Sequence, residues 1–155
     1  MKAVIQRVSG AQVSVDGVVR GRVGNGFLVL LGVCPEDTET VAGKLADKIA
    51  KMRIFEDENG KMNLSLLDFQ KSGDPYGVLV ISQFTLCANT RHGNRPDFFG
   101  AAKPEIAEPL YRYFAEYLRE HYGLAVETGV FGADMKVSLL NDGPVTIVLD
   151  TDEMK

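Results

Sequence analysis

The sequence predicts an α+β fold in which a largely antiparallel or mixed sheet of about eight strands curls beside two main helices. Short β-like segments fill the N-terminal third, two helical patterns flank a buried strand, and further β-like segments follow the second pattern. A chain of 155 residues fits one domain. We predict that this domain spans residues 1–150 and that residues 151–155 form a frayed tail.

The N-terminal third is predicted to consist of strands that alternate with glycine-containing turns. Residues 3–8 and 12–15 alternate in the manner of half-buried strands. Asp-Gly at 16–17 then predicts a tight hairpin, and Gly-Asn-Gly at 24–26 predicts a second turn. Residues 27–33 are apolar throughout, so we expect both faces of this strand to be buried.

Two amphipathic patterns predict the helices. Asp37 or Thr38 can cap the first helix. The second covers residues 105–122, and Gly123 is placed to end it. The apolar stripes are Val41, Leu45, Ile49 and Met52 in the first helix and Ile106, Leu110, Tyr113, Phe114, Tyr117, Leu118 and His121 in the second.

The remaining chain is predicted as short strands joined by turns and loops. Strands are predicted at residues 53–56, 78–84, 125–128, 136–140 and 145–149. We predict a turn at 57–60 and a loop at 71–75, and residues 62–69 fit either a strand or a helix. Residues 88–104 are rich in glycine and proline, and a loop of this length is often functional.

Charge and composition limit the classes of function. The net charge of −4 and the pI near 5.2 argue against a general nucleic-acid binder, which carries a basic face. A protein that holds only the end of a nucleic acid stays compatible, because it contacts few phosphates. No apolar run approaches the roughly 20 residues of a membrane helix, and no signal peptide is evident. Cys34 and Cys87 lack metal-site spacing, so we expect no metal, no other cofactor and a reduced, cytoplasmic protein.

Residues 141–146, with the sequence Asn-Asp-Gly-Pro-Val-Thr, separate two β-like runs and are called the Gly-Pro segment below. Proline removes a donor from a strand ladder, and glycine loses more backbone entropy on folding than any other residue. Two interpretations are open. The segment is a turn, which all of its polar and small residues favour for local reasons, or it presents backbone atoms for a function.

A second motif ends the buried central strand. Ser82, Gln83, Phe84 and Thr85 stand where the apolar run 77–81 stops. Strand ends often carry active-site groups, because a rigid scaffold positions them there. Serine and threonine at strand ends also form purely local hydrogen bonds, so this motif alone leaves both interpretations open.

Together with Gln6-Arg7-Val8 in the first strand, these two motifs resemble those of the D-aminoacyl-tRNA deacylases, the D-tyrosyl-tRNA deacylase family. The resemblance runs from Met1 to Thr146. It implies a barrel-like curled sheet and a homodimer whose active sites cross between subunits, with the acceptor end of aminoacyl-tRNA as the partner. The implied activity is translation quality control, in which D-amino acids and mischarged glycine are hydrolysed from tRNA and L-aminoacyl-tRNA is rejected.

The resemblance assigns substrate selection to Gly143 and Pro144. It implies a cis peptide inserted into the partner subunit's pocket, where its backbone would collide with an L side chain and leave room for a D side chain or glycine. Arg7 is expected to support this loop or the substrate, or else to be a surface arginine on an edge strand. Thr146 is expected to supply a nearby hydroxyl, and Met135 either lines the pocket or fills the core.

The candidate catalytic residues are Ser82, Gln83, Phe84 and Thr85. Backbone N–H groups around Phe84 and Thr85 are candidates to stabilise the oxyanion of ester hydrolysis. Thr85 is either a nucleophile or a hydroxyl that positions substrate or water. A threonine without a neighbouring base is a poor nucleophile, so we favour positioning, with the 2′-OH of the terminal ribose assisting as the resemblance implies.

Arg91 and Arg95 are candidate tRNA contacts, although a solvated loop explains them equally well. Asp97 departs from the family pattern, because it places a negative charge beside this loop. The alternative to an enzyme is a non-catalytic dimeric module that binds a nucleic-acid end through Arg7, Arg91 and Arg95.

Overall fold

The computed structural model describes residues 1–74 and 76–154, so Pro75 of the predicted loop at 71–75 and Lys155 of the predicted tail lie outside the described residues. The described residues form eight strands and three helices, which confirms the predicted α+β class with two main helices. The strands are β1 (Lys2–Val15), β2 (Val18–Val23), β3 (Gly26–Gly32), β4 (Phe55–Glu56), β5 (Met62–Leu64), β6 (Gly77–Ser82), β7 (Ala125–Thr128) and β8 (Lys136–Asp150). The helices are α1 (Glu39–Lys51), α2 (Leu66–Lys71) and α3 (Pro104–Tyr122), and short 3₁₀ turns cover Phe84–Cys87 and Thr151–Glu153.

Strand β1 has neighbours on both of its edges. It pairs with the antiparallel strand β8 along one edge. On the other edge its first half pairs with β3, from Lys2 opposite Gly32 to Val8 opposite Gly26. Its second half pairs with β2 through the predicted hairpin at residues 16–17, where both residues have positive φ. Beyond β3 the sheet continues with the parallel strands β6 and β7, so the sheet is mixed.

The sheet curls until β2 lies against β7. Gly21 on β2 is so close to β7 that a Cβ added to it would stand 2.8 Å from the carbonyl oxygen of Thr128. The same Cβ would stand 3.2 Å from Cδ1 of Leu79. Glycine therefore allows the backbones to approach where the two edges of the sheet meet. The sheet is nearly closed into a barrel, as the family resemblance implied.

Two apolar clusters pack on the sheet. The larger lies between the sheet and helices α1 and α3, and it includes Phe27, Val29 and Leu31 of β3 with Leu45 and Phe114 of the helices. The smaller cluster consists of Val8, Ala11, Val13, Val23, Leu28, Leu79 and Ile81. Alternate residues of β3 thus enter different clusters, and its continuous apolar run is explained by burial of both faces.

The helix ends follow the predicted signals. Thr38 caps α1, because its Oγ1 accepts a hydrogen bond from the N–H of Val41 at 3.3 Å. Gly123 ends α3 in the left-handed conformation with φ 65°. The ambiguous residues 62–69 divide into β5 and the start of α2. Among the described residues, no helix combines the length and apolar character needed to cross a bilayer.

Strand boundaries differ from the prediction by more than one residue in four strands. Strand β4 begins at Phe55 rather than at residue 53. Strand β1 continues through the expected break at residues 9–10, and β8 continues through the Gly-Pro segment. These irregular stretches pair with each other, and the register between the two strands shifts from Gln6 to Gly10. Strand β6 ends at Ser82, because the chain then turns away at Gln83.

The C-terminus also differs from the predicted frayed tail over its first residues. Thr151–Glu153 forms a 3₁₀ turn. The N–H of Thr151 donates to the carbonyl oxygen of Met1 at 2.9 Å, and the amino group of Met1 donates to Oγ1 of Thr151 at 2.7 Å. That amino group also pairs with Asp37 at 2.7 Å. The start of β1 and the end of β8 are therefore joined by polar contacts as well as by the sheet.

We predict that Gly21→Ala destabilises the protein by about 1–3 kcal/mol, because the added methyl overpacks against the β7 backbone. Gly24→Ala is the matched control, since a Cβ at Gly24 meets nothing within 4 Å, and we expect a change within about 0.5 kcal/mol. The measurement is the free energy of unfolding in urea. Equal effects of the two substitutions would show that β2 and β7 do not meet at Gly21.

Candidate functional site

A pocket of ≈ 610 Å³ opens at the end of strand β6. Ser82, Gln83 and Phe84 form one side of it. Residues 131–135 form a second side, and several residues of the segment 98–107 form a third. Most of the lining is apolar, which is the usual character of a pocket that binds an organic group through a few polar contacts.

The chain enters this site directly from the core. Strand β6 is buried from Gly77 to Ile81, and Ser82 is its first partly exposed residue. The N–H of Gln83 donates to the carbonyl oxygen of Leu31 at 2.8 Å, which holds the strand end against β3. Gly32 permits this approach, because a Cβ there would stand 3.0 Å from the carbonyl oxygen of Gln83. Pairing with β3 therefore fixes where the Phe84–Cys87 turn begins.

The first two amides of the Phe84–Cys87 turn have no hydrogen-bond acceptor among the described residues. In this turn Leu86 donates to the carbonyl of Gln83 at 3.2 Å. The preceding N–H groups, of Phe84 and Thr85, donate to no protein acceptor within the described part of the chain. Unpaired N–H groups at the start of a helical turn attract negative charge. The geometry thus supplies two donors of the kind that an oxyanion requires.

Thr85 is exposed and lies beside the residues that line the pocket. Its Oγ1 accepts a hydrogen bond from Nε2 of Gln83 at 2.5 Å. An amide is not a base, so this contact orients the hydroxyl without activating it as a nucleophile. His92 is exposed in the loop, and His121 stacks on the ring of Tyr117. The contacts of Thr85 therefore fit positioning better than nucleophilic attack.

Aromatic and sulfur-containing side chains shape the remainder of the pocket. Phe84 meets Phe98 edge to face, with ring centroids 5.1 Å apart. Met135 lines the pocket and also packs against the smaller apolar cluster, so both interpretations of this residue apply. Tyr111 lies below and donates its hydroxyl to the carbonyl oxygen of Val80 at 2.7 Å. Burial raises the pKa of Tyr111 to about 12, so this phenol stays neutral near pH 7.

Arg7 supports the Gly-Pro segment from strand β1. Arg7 is only 7% exposed, so it is not a surface arginine. Its Nε donates to the carbonyl oxygen of Asp142 at 2.9 Å, and its Nη1 donates to that of Ile54 at 2.8 Å. Gly143 and Pro144 are exposed, and their peptide bond is cis as predicted.

Asn141 is a second support that the sequence did not single out. Its Nδ2 donates to Oγ1 of Thr146 at 2.9 Å, and its Oδ1 accepts from the N–H of Val145 at 3.2 Å. The hydroxyl of Thr146 therefore stabilises the Gly-Pro segment by accepting the hydrogen bond from Asn141. The only signal for this role in the sequence is the presence of two side chains able to hydrogen-bond at opposite ends of a Gly-Pro pair.

Within one chain the predicted residues fall into separate groups. Strand pairing shows how far apart the groups are across the sheet. Thr146 on β8 is opposite Gln6 on β1, Gln6 is opposite Leu28 on β3, and Leu28 is opposite Leu79 on β6, the strand that ends at Ser82. Three strand spacings correspond to roughly 14 Å measured across the sheet. The first group lies at the pocket and consists of Ser82, Gln83, Phe84 and Met135, which line it, with Thr85 beside them. The second group lies around the Gly-Pro segment and consists of Arg7, Gly143, Pro144 and Thr146.

Arg91 and Arg95 lie in a third place, an exposed loop closed at its base by Asn89 and Asp97. These two residues exchange backbone hydrogen bonds of 2.9 and 3.1 Å, and Nδ2 of Asn89 donates to Oδ2 of Asp97 at 3.1 Å. Asp97 thus has a structural role that accounts for its charge beside the loop. Both arginine side chains face solvent without an ion pair to any described residue.

The part of the chain that the structure describes contains no cluster of three or more His, Cys, Asp or Glu side chains suited to a metal ion.

Comparison with known proteins finds similarity to aminoacyl-tRNA deacylases. A family model for D-Tyr-tRNA(Tyr) deacylase matches residues 4–150. The D-aminoacyl-tRNA deacylase of Thermus aquaticus is 56% identical over 153 residues, which cover 99% of this chain and 97% of the relative. The D-aminoacyl-tRNA deacylase of Thermosipho melanesiensis is 53% identical over 151 residues, which cover 97% of each chain.

Two solved structures are also similar. One is named c-Myc DNA Unwinding Element Binding Protein, with 45% identity, a TM-score of 0.88, and coverage of 97% of this chain and 98% of that one. The other is a probable eukaryotic D-amino acid tRNA deacylase, with a TM-score of 0.81 and coverage of 96% and 97%. Its identity of 16% makes the second likeness one of fold alone.

We predict that Arg7→Lys loosens the Gly-Pro segment, because one ammonium replaces a fork that bonds carbonyls in two different segments. An unsatisfied carbonyl at a buried site costs about 1–3 kcal/mol. Arg22→Lys is the control, since among the described residues exposed Arg22 donates only to the side chain of Gln12. The measurements are unfolding in urea and hydrogen exchange at the amide of Val145. Unchanged exchange in Arg7→Lys would contradict the support assigned to Arg7.

Proposed function

The chain belongs to the D-Tyr-tRNA(Tyr) deacylase family, and we propose on this basis that it hydrolyses the ester bond between a D-amino acid and its tRNA. The observation that carries the proposal is the full-length similarity. Proteins named D-aminoacyl-tRNA deacylase are 53–57% identical over 97% or more of the chain, so both sequence motifs lie inside the matched region. The chain is thus a hydrolase that acts on ester bonds.

The proposed chemistry takes place at the Phe84–Cys87 turn. Water attacks the ester carbonyl, and the tetrahedral oxyanion receives hydrogen bonds from the amides of Phe84 and Thr85. Such preorganised donors are worth about 2.7–4 kcal/mol each in the barrier. The intermediate then collapses, the C–O bond to the ribose breaks, and the ribose hydroxyl is released with a proton from the attacking water.

Thr85 and the terminal ribose position the attacking water in this proposal. The hydroxyl of Thr85 is fixed by Gln83 and exposed beside the pocket, which suits a positioning role. The ribose 2′-OH is adjacent to the ester in any aminoacyl-tRNA, so it assists without a protein base. Ser82 lines the pocket at the strand end and orients the backbone that carries the donors.

Substrate selection is proposed to come from the Gly-Pro segment of a second subunit. The segment is exposed and supported by Arg7, but across the sheet it is distant from the pocket of its own chain. A two-fold homodimer would bring each segment to the other subunit's pocket and give two equivalent sites. Its backbone would collide with an L side chain and accept a D side chain or glycine.

The proposed partner is the acceptor end of aminoacyl-tRNA, and the proposed setting is quality control of translation in the cytoplasm. Arg91 and Arg95 are exposed and suited to phosphate contact. The similarity to a protein named for binding a DNA element keeps a nucleic-acid-binding role without catalysis as a second candidate. Buried Arg7 does not contribute to such a surface, which leaves that candidate with the two loop arginines alone.

We expect single-turnover deacylation of D-aminoacyl-tRNA and glycyl-tRNA, with L-aminoacyl-tRNA slower by about 100-fold or more, equivalent to about 2.7 kcal/mol in the barrier. Rejection by collision does not depend on charge, so the ratio of D to L rates persists at high salt while tRNA binding weakens. The rates are measured for all three substrates at low and high salt. Comparable rates on D- and L-substrates would contradict the proposed selection mechanism. Absence of deacylation would favour the nucleic-acid-binding role.

We expect Thr85→Ala to reduce deacylation by about tenfold or less, equivalent to about 1.4 kcal/mol in the barrier, since positioning is lost but the amide donors remain. Thr90→Ala, also at an exposed threonine, is the control and keeps the full rate. Both variants are assayed by single turnover, with acid quenching to search for a covalent intermediate. An acyl group trapped on Thr85, or activity at background in Thr85→Ala, would assign it the role of nucleophile instead.

A further inference from the structure

Two cysteines that the proposed reaction does not use lie next to each other behind the catalytic turn. Cys34 follows strand β3, and Cys87 is the last residue of the Phe84–Cys87 turn. Their Sγ atoms are 3.4 Å apart although 53 residues separate them in sequence, and both thiols are free. Cys87 is buried and Cys34 is half-buried, so solvent reaches the pair through Cys34.

Contacts with neighbouring backbone and side-chain atoms hold the two cysteines next to each other. The Sγ of Cys87 is 3.6 Å from the carbonyl oxygen of Val33, and a Cβ placed on Gly32 would stand 3.3 Å from that sulfur. The N–H of Cys34 donates to Oδ2 of Asp37 at 2.6 Å, which fixes the other partner. A disulfide requires an S–S distance of about 2.05 Å, so the sulfur atoms must approach by roughly 1.4 Å.

The two thiols differ in reactivity. The pKa of Cys34 is lowered to about 7, chiefly because Cys87 donates a hydrogen bond to its thiolate, while burial acts in the opposite direction. The amino group of Met1 also favours the Cys34 thiolate, and the carboxylate of Asp37 opposes it. The pKa of Cys87 is raised by the same hydrogen bond, by burial and by the charge of Cys34, while the amino group of Met1 and Lys2 act against them. Cys34 is therefore the accessible thiolate, and Cys87 is the buried thiol placed to resolve it.

We propose that Cys34 and Cys87 form a reversible oxidation site. A hydroperoxide oxidises the two thiols to a disulfide, and formation of this bond displaces the Phe84–Cys87 turn. With hydrogen peroxide as the oxidant, the thiolate of Cys34 attacks one oxygen and the O–O bond breaks. The hydroxide that leaves takes up the proton that the Cys34 thiol had released, so a sulfenic acid and one water form. The sulfur of Cys87 then attacks the sulfenic sulfur, the S–O bond breaks, and a second water leaves with the Cys87 proton. Two thiols lose two electrons, the peroxide gains them, and a dithiol reductant reverses the step.

Closure of the disulfide acts on the two amide donors through the backbone. Cys87 follows Thr85 by two residues, and the next residue, Ala88, donates to the carbonyl oxygen of Thr85 at 3.1 Å. A movement of Cys87 by about 1 Å therefore passes to Thr85 within one turn. Misplacement of that size near the reacting atoms can lower a rate by about 10²-fold. This consequence rests on the proposed function, whereas formation of the disulfide does not.

The test uses the purified full chain treated with hydrogen peroxide and then with dithiothreitol. We expect titratable thiols to fall from two to none, the intact mass to fall by two hydrogens, and both changes to reverse. Digestion without reductant should yield one linked pair of peptides that contains Cys34 and Cys87. Thiols that persist, or a gain of oxygen at either cysteine without linkage, would overturn the proposal.

Single-cysteine variants separate the roles of the two thiols. In Cys87→Ser the sulfenic acid on Cys34 has no resolving thiol, so we expect it to be trapped by dimedone. In Cys34→Ser we expect Cys87 to lose its thiol much more slowly than in the unmodified protein, since it is buried. Equal oxidation rates of the two single-cysteine variants would contradict the assignment of Cys34 as the attacking group.

The effect on the turn is measured as single-turnover deacylation before oxidation, after oxidation and after reduction. We expect a loss of tenfold to about 100-fold on oxidation, recovery on reduction, and no comparable loss when Cys34→Ser is treated with peroxide. A disulfide that leaves the rate unchanged would overturn the coupling to the turn. A reduced protein without deacylase activity would refute the proposed function and would leave the disulfide to be judged on thiol count and mass.

Discussion

Strand β1 carries hydrogen bonds along both of its edges, and the positions of the site residues depend on that double pairing. One edge holds β8 with the Gly-Pro segment, and the other holds β3, which in turn holds β6 and the Phe84–Cys87 turn. The two candidate groups are therefore fixed on opposite sides of one strand. Arg7, on β1 itself, adds the contact that ties the Gly-Pro segment to this scaffold.

Close backbone approach is the second constraint. Gly21 lets β2 meet β7, and Gly32 lets the chain after β6 lie on the end of β3. At both positions a methyl group would enter space held by backbone atoms, so these contacts are set by sterics rather than by attraction. The same close approach at Gly32 places Cys87 next to Cys34. The thiol pair is thus a consequence of the packing of the Phe84–Cys87 turn against the end of β3.

Local sequence signals predicted most of the elements. Asp-Gly at 16–17, Thr38 and Gly123 mark a hairpin, a helix start and a helix end, because their backbone and side-chain preferences act within a few residues. The continuity of β8 through the Gly-Pro segment was not predictable in this way. It depends on β1, a strand more than 120 residues earlier in the chain, which supplies partners on both sides of the irregular stretch.

The sequence by itself determined the fold class, the family and the two motifs, since composition, period and residue identity are properties of short segments. The tertiary structure decided which motif residues share a site. It placed Met135 beside Ser82 and Phe84, separated both from Gly143, and converted Arg7 from a candidate surface arginine into a buried support. It also brought together Cys34 and Cys87, which no spacing rule connects. The physical reason is that strand pairing and burial join residues far apart in the chain, and those contacts leave no local pattern in the sequence.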